Sequence, residues 1–373
     1  MLSSMLRARE AGMLTRERMD RMLSAPSYQE AAKLLCDCGY EDMSACSLEG
    51  VNDALTRRRS EVFAEMAKMS PHSEVVDIFR VKYDYHNLKA LVKAKAMGVD
   101  AGHILSECGR VEAGKLAQCV SEEGGLSSLP QDMAEAYTEA VSVLNRTGNP
   151  QLADFELDRR YFALIGELAA ESGSKFLAGY VEVLIDSANL RAAVRTVRMG
   201  KDRAFMLSAM APGGSVDPEV LARAAENGES LAACFNASGL EKAAHLGAEA
   251  MKGGAMTAFE LECDNAVSAY LAGAKMIPFG VEPVAEYLAL VESEITAARM
   301  ILTGRLGGIE PEVIRERLRD INAENSCYRR SRHRHGLQGP GPGRFRGRES
   351  GGGPRGLPPC CARERRAVRD NLC

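Results

Sequence analysis

Tyr83-Asp84-Tyr85-His86-Asn87-Leu88-Lys89-Ala90-Leu91-Val92-Lys93 is matched 102 residues later by Ile185-Asp186-Ser187-Ala188-Asn189-Leu190-Arg191-Ala192-Ala193-Val194-Arg195. Both strings read D-x-x-N-L-[KR]-x-x-V-[KR], and both then reach Met-Gly, at Met97-Gly98 and Met199-Gly200. A weaker third copy lies a further 108 residues along. It keeps an acid (Glu294), the basic position (Arg299) and the glycine (Gly308), while Asn and Leu have become Ala297 and Ala298. Self-similarity at a fixed offset marks a repeated structural unit. The stretches after each copy are also alike: GRVEAGKLAQCV from Gly109, GGSVDPEVLARAA from Gly213 and GGIEPEVIRERLR from Gly307. The last two place Pro218 and Pro311 just inside a helix start, followed by Glu, as the helix dipole favours.

Outward from the repeats the pattern stays helical. In SYQEAAKLL, Ala31, Leu34 and Leu35 share a face at helical spacing, and Ser27 with Glu30 has the spacing of a capping box. The segments 137–144 and 161–169 have the same period. Pro71, Pro130, Pro150, Pro212, Pro218, Pro283 and Pro311 punctuate the helices. Aromatics make up only 5% and Trp is absent, so Ala, Leu and Met dominate, and these lose little side-chain freedom in a helix. No stretch alternates with period two. The expected fold is therefore all-α: three related helical units, 1–110, 111–212 and 213–322, with pseudo-threefold symmetry, forming a funnel or collar.

The chain of 373 residues is 46% hydrophobic, with mean hydropathy −0.19, and lacks an apolar run long enough to span a bilayer. The start MLSSMLRARE is charged, without the apolar centre of a signal peptide. The seven cysteines before residue 323 are odd in number and have no zinc-like spacing. They are expected to be buried thiols in a reduced, cytosolic compartment.

No catalytic pattern stands out. GxxxxGK[ST], HExxH and GxSxG are missing, and His72, His86, His103 and His245 are scattered. His86 reads as a packed or surface residue, and Met5, Met13, Met19, Met22, Met43, Met66 and Met69 as adaptable packing. No cofactor, metal or small-molecule substrate is expected. Within a helix, Asp84, Asn87 and Leu88 share a face, as do Asp186, Asn189 and Leu190. Lys89 with Lys93, and Arg191 with Arg195 and Arg198, form basic stripes; Arg299 holds the third copy's basic position. Two readings of the stripes stand: a solvated or locally paired face, or a basic patch gripping an acidic partner. The Asn positions suit hydrogen-bonded helix packing.

The strings FRVKYDYHNLKALVKAK, YVEVLIDSANLRAAVRTVRMGK and FGVEPVAEYLALVESEITAARMILTGRLGGIEPEVIRERLR resemble the C subunit of V-type and A-type rotary ATPases, the counterpart of the eukaryotic d subunit. The resemblance runs over nearly all of residues 1–322. It departs from the family at Ala297 and Ala298, and completely after about Asp320. It implies a helical funnel that is a socket for the central stalk, subunits D and F, and rests on the proteolipid ring at the cytoplasmic face. Such a protein is peripheral, turns with the rotor, couples ATP synthesis or hydrolysis to ion transport and carries no chemistry of its own. Two other classes are weighed beside it: an open helical-repeat scaffold for peptides, and a nucleic-acid binder using the Arg-rich end.

That end obeys different rules. Residues 323–373 hold 12 Arg, no Lys and 4 acids, a net +8 against −12 for the rest, with 9 Gly and 5 Pro. High charge and little apolar pattern predict disorder. At face value this is an RNA-binding arm, though the acidic remainder would repel nucleic acid. Back-translation gives another reading. HGLQGPGPGRFRG (335–347) can be coded so that the frame one nucleotide later yields MGFKALGLDVFG, and ERRAVRDNLC (364–373) so that it yields SDERYAITYV. Both resemble the stalk F subunit of the same ATPases. The end of the chain is thus expected to be an out-of-frame product, arising from a frameshift between about Asp320 and Tyr328.

Overall fold

Three of the long helices start where a short polar side chain takes the place of the missing helical acceptor. In the computed structural model, which describes residues 2–227, 231–236 and 238–319, Ser47, Asn149 and Ser174 accept hydrogen bonds from Gly50, Gln151 and Leu177 N–H. Ser27 likewise accepts from Glu30 N–H, as the capping spacing predicts. All described regular structure is helical, with no strand among the described residues.

The first helices are α1 (Leu2–Glu10), α2 (Arg16–Ser24), α3 (Tyr28–Lys33), α4 (Leu48–Met69) and α5 (Ser73–Met97). After a loop come α6 (Ala113–Ser121), α7 (Gln131–Thr147), α8 (Pro150–Glu171) and α9 (Lys175–Arg198). The rest are α10 (Arg203–Ser208), α11 (Pro218–Asn227), α12 (Glu241–Met251), α13 (Met256–Ala272), α14 (Glu282–Leu306) and α15 (Pro311–Arg315). The described residues belong to one compact unit. No described helix is long and apolar enough to cross a membrane.

The three repeat copies are α5, α9 and α14. They run 25, 24 and 25 residues, or roughly 37 Å at 1.5 Å per residue. Each stops by the same device. Gly98, Gly200 and Gly308 have φ of 65°, 64° and 68°, a region closed to most side chains. The next N–H closes back on a carbonyl in the last turn: Val99 on Ala94, Lys201 on Thr196, Ile309 on Gly304, at 2.9–3.1 Å. These bonds repeat at the sequence offsets of 102 and 108, so the weak third copy keeps the helix stop although it lost Asn and Leu.

Packing divides the apolar interior in two. One cluster runs from Leu6 through α4, α5, α7, α8 and the first half of α9 to α14. The other gathers Leu190, Val194, Leu221, Phe235 and Phe259 around the second half of α9. Helix α9 belongs to both, with Ile185 in the first and Leu190 in the second. Helix α14 packs on α1, α2, α3 and α4, so the last long helix lies against the first 70 residues. Cys108, Cys119 and Cys263 are buried, but Cys36 is exposed and Cys38, Cys46 and Cys234 are half-buried, contrary to the expectation of uniformly buried thiols. Cys36 is in the one-turn 3-10 segment Cys36–Cys38, which buries none of its residues.

Candidate functional site

The polar residues of the repeat do two separate jobs, both inside the chain. Asp84 is fully buried in the middle of α5. It accepts from Arg110 N–H at 2.8 Å and from Arg110 Nε at 2.7 Å, while Arg110 Nη2 reaches Asp132 at 2.6 Å. Burial pushes the Asp84 carboxyl up, and the Arg110 hydrogen bonds oppose it. Asp186 repeats the arrangement on α9. It accepts from Ser215 Oγ and, at 3.3 Å, from Val216 N–H. Among the described residues no arginine pairs with this acid, and burial again raises it. The loops come close because Gly109 and Gly214 sit on the two carboxylates, where a Cβ would collide with Asp84 Oδ1 and Asp186 Oδ1.

One turn along, Asn87 and Asn189 clasp the same loops at two points. Asn87 donates to Ser106 C=O at 2.8 Å and accepts from Ser106 N–H at 2.7 Å. Asn189 does the same with Ala211, at 2.8 and 2.9 Å. These amides satisfy loop backbone rather than bridging two helices, so each loop is pinned to the helix it follows.

The basic stripes begin two positions on and are paired. Lys89 meets Asp158 at 2.5 Å and Lys93 meets Asp154 at 2.6 Å, both on α8. Arg191 meets Asp264, and Arg195 meets Glu260 at 2.8 Å, both on α13. Asp264 also holds Arg319 at 2.7 Å. Arg198 donates to the carbonyls of Ala250 and Gly254. Arg299 alone of the nine singled-out positions has no hydrogen bond or ion pair among the described residues, and its Nε is buried. His86 is exposed at a loop carbonyl, that of Ile104.

In the third copy the acid also holds a loop, but a distant one. Glu294 accepts from Leu14 N–H at 2.6 Å and from Tyr40 Oη at 2.7 Å. Burial raises its pKa, and these two hydrogen bonds pull the other way. The stretch after Gly307, which the sequence aligns with the pinned loops of the other copies, instead puts Ile314 against Gly304 and Arg315 near Asp20. Two residues before Glu294, Glu292 accepts from Arg59 Nε at 2.7 Å, Lys82 Nζ at 2.5 Å and Tyr83 Oη at 2.9 Å. Burial works against its charge, but Lys82 and Arg59 outweigh burial and hold it below the usual carboxylate range. Neither Leu14 nor Glu292 stands out in the sequence. Leu14 acts through its backbone, and Glu292 lies outside the repeated positions.

Among the described residues no group of three His, Cys, Asp or Glu side chains is placed to hold a metal ion. What the geometry defines is an all-helical protein whose long helices hold loops, neighbouring helices and its own beginning through buried polar contacts. Residues 2–317 match the family described as ATP synthase (C/AC39) subunit, and the chain belongs to that family. It is similar to the C subunit of the V-type sodium ATPase of Enterococcus hirae, 21% identical over 326 residues, 86% of this chain and 98% of that one. It is also similar to the C subunit of the A-type ATP synthase of Thermococcus kodakarensis, 25% identical over 330 residues, 83% of this chain and 87% of that one. The C subunit of a V-type ATP synthase from Thermus thermophilus matches over 175 residues at 23% identity, 45% of this chain and 54% of that one.

Proposed function

We propose that this chain is the non-catalytic coupling element of a V/A-type rotary ATPase. In this reading it receives the central stalk, subunits D and F, at one end and sits on the proteolipid ring at the other. It lies peripherally at the cytoplasmic face and turns with both, in ATP-driven or ATP-producing ion transport. Family membership supports the complex. The observation that carries the coupling role is the contact of Glu294 with Leu14.

Asp84 and Asp186 each hold the loop that follows their own helix, and the third acid holds a loop near the chain start. That substitution supports three units, 1–110, 111–212 and 213–322, joined head to tail around an axis with pseudo-threefold symmetry. An open superhelical scaffold gives the last acid no reason to meet the first loop. A closed collar suits torque, because packed interiors transmit strain rather than absorb it.

The test is binding. The full-length chain is mixed with the purified D–F stalk and followed by size exclusion with light scattering. A one-to-one complex is the expected result. A folded, helical chain that leaves the stalk unbound sinks the proposal.

A further inference from the structure

Among the described residues the repeat leaves one position open. Lys89 on α5 and Arg191 on α9 stand at one register, and each closes an ion pair with an aspartate of a neighbouring helix. Arg299 holds that register on α14. Helix α4 packs on α14, and its Arg59 lies within electrostatic reach of Arg299 and repels it. Tyr83 of α5 and Cys108 of the following loop are also within electrostatic reach of it. Glu292 is within electrostatic reach, but Arg59, Lys82 and Tyr83 already occupy its oxygens.

A guanidinium does not shed its proton in a protein. A charge left half-buried without a partner is a cost to the fold, one that a well-packed apolar side chain would remove. Arg299 therefore has the form of one half of a pair whose other half is not among the described residues. Both equivalent positions take an aspartate, and the planar guanidinium fork matches a carboxylate. We infer that Arg299 is an open socket for an acidic side chain of a partner protein and, resting on the coupling reading above, that this side chain belongs to the central stalk.

The experiment uses the full-length chain with Arg299→Met, Arg299→Glu and, as a control, Arg191→Met. In the isolated chain, Arg299→Met is expected to raise the melting temperature by about 1–3 °C, because it removes an unpaired charge, and Arg191→Met to lower it. An unchanged or lowered value for Arg299→Met overturns the open socket. In titration with the D–F stalk, Arg299→Glu is expected to weaken binding at least about tenfold, which is about 1.4 kcal/mol. One Lys-for-acid variant of the stalk is expected to restore it. Equal affinity of wild type and Arg299→Glu overturns the inference and leaves the coupling reading standing. A wild-type chain that does not bind the stalk overturns the coupling reading, and with it the stalk as source of the acid.

Discussion

Glu294 accepts the backbone N–H of Leu14 at 2.6 Å across 280 residues of chain. The same carboxylate holds Tyr40 Oη through its other oxygen, so one side chain fixes two points of the N-terminal segment against α14. Removing it by Glu294→Ala leaves a buried N–H and a buried hydroxyl unsatisfied. A loss of about 2–4 kcal/mol follows, to be measured by urea unfolding. Hydrogen exchange at Leu14 is expected to speed up, with little change at Val216. Equal exchange at Leu14 in wild type and variant would show that the contact does not hold the seam.

Two carboxylates of α14 are expected to impose opposite pH slopes. Glu294 has a raised pKa in the fold. The folded state then binds its proton more tightly, so its contribution is fully present below the ordinary carboxylate value and is lost as pH rises through the folded value. Glu292 is lowered, so its contribution is present above the ordinary value and is lost as pH falls through the folded one. Relative to Glu294→Gln, the wild type should gain stability on acidification from neutral pH. Relative to Glu292→Gln, it should lose stability below about pH 4.5. Melting curves of the three proteins between pH 4 and 7.5 decide it, and parallel curves would refute both assignments.

The loop clasps predict a matched pair of glycine effects. A methyl at Gly109 or Gly214 would collide with the carboxylate of Asp84 or Asp186. Gly109→Ala and Gly214→Ala are each expected to cost about 1–3 kcal/mol. Asp84→Ala is expected to cost more, about 3–5 kcal/mol, because it leaves Arg110 with its buried side unpaired. Combined with Asp84→Ala, the Gly109→Ala cost should largely vanish, since the colliding atom is gone. Strict additivity in that double-mutant cycle would contradict the geometry.

Much of this was legible from residue types alone. The offsets of 102 and 108 locate three helix stops, and Gly98, Gly200 and Gly308 adopt the same left-handed conformation because the same local geometry ends each helix. Ser27 and the helix-opening prolines Pro150, Pro218 and Pro311 read correctly for the same local reason. The partners of the stripes were not legible. Asp158 and Asp264 lie on other helices, 69 and 73 residues from Lys89 and Arg191, and a periodicity argument sees one helix at a time. Leu14 left no signal because its contact is a backbone N–H. The Arg-rich segment 323–373, read as out-of-frame, lies outside the described residues.

The stripes themselves carry a graded expectation. Arg195 and Glu260 are both substantially exposed, at 54% and 34% of side-chain surface, and such pairs contribute little. Arg195→Ala should cost no more than about 1 kcal/mol. Arg191 is less exposed, at 21%, and its aspartate also holds Arg319, so Arg191→Ala should cost clearly more. If the stripes hold helices together, Lys89→Glu with Arg191→Glu lowers stability while stalk affinity per folded molecule stays within about twofold, a change of roughly 0.4 kcal/mol. If they grip the stalk, affinity falls with the fold intact, and calorimetric titration separates the two.

The tail is tested at the level of the gene. Reading the bases for residues 335–373 one nucleotide later should give an uninterrupted frame resembling the stalk F subunit, and a stop codon there would end the frameshift reading. At the protein level, a chain cut after Asn322 keeps Arg319 and its contact with Asp264. It should therefore melt within about 1 °C of the full chain, a shift worth well under 1 kcal/mol. It should also lose whatever salt-dependent RNA binding the 12 arginines confer. A large drop in melting temperature would instead place residues 323–373 among those that hold the fold, which a segment translated out of frame has no reason to do.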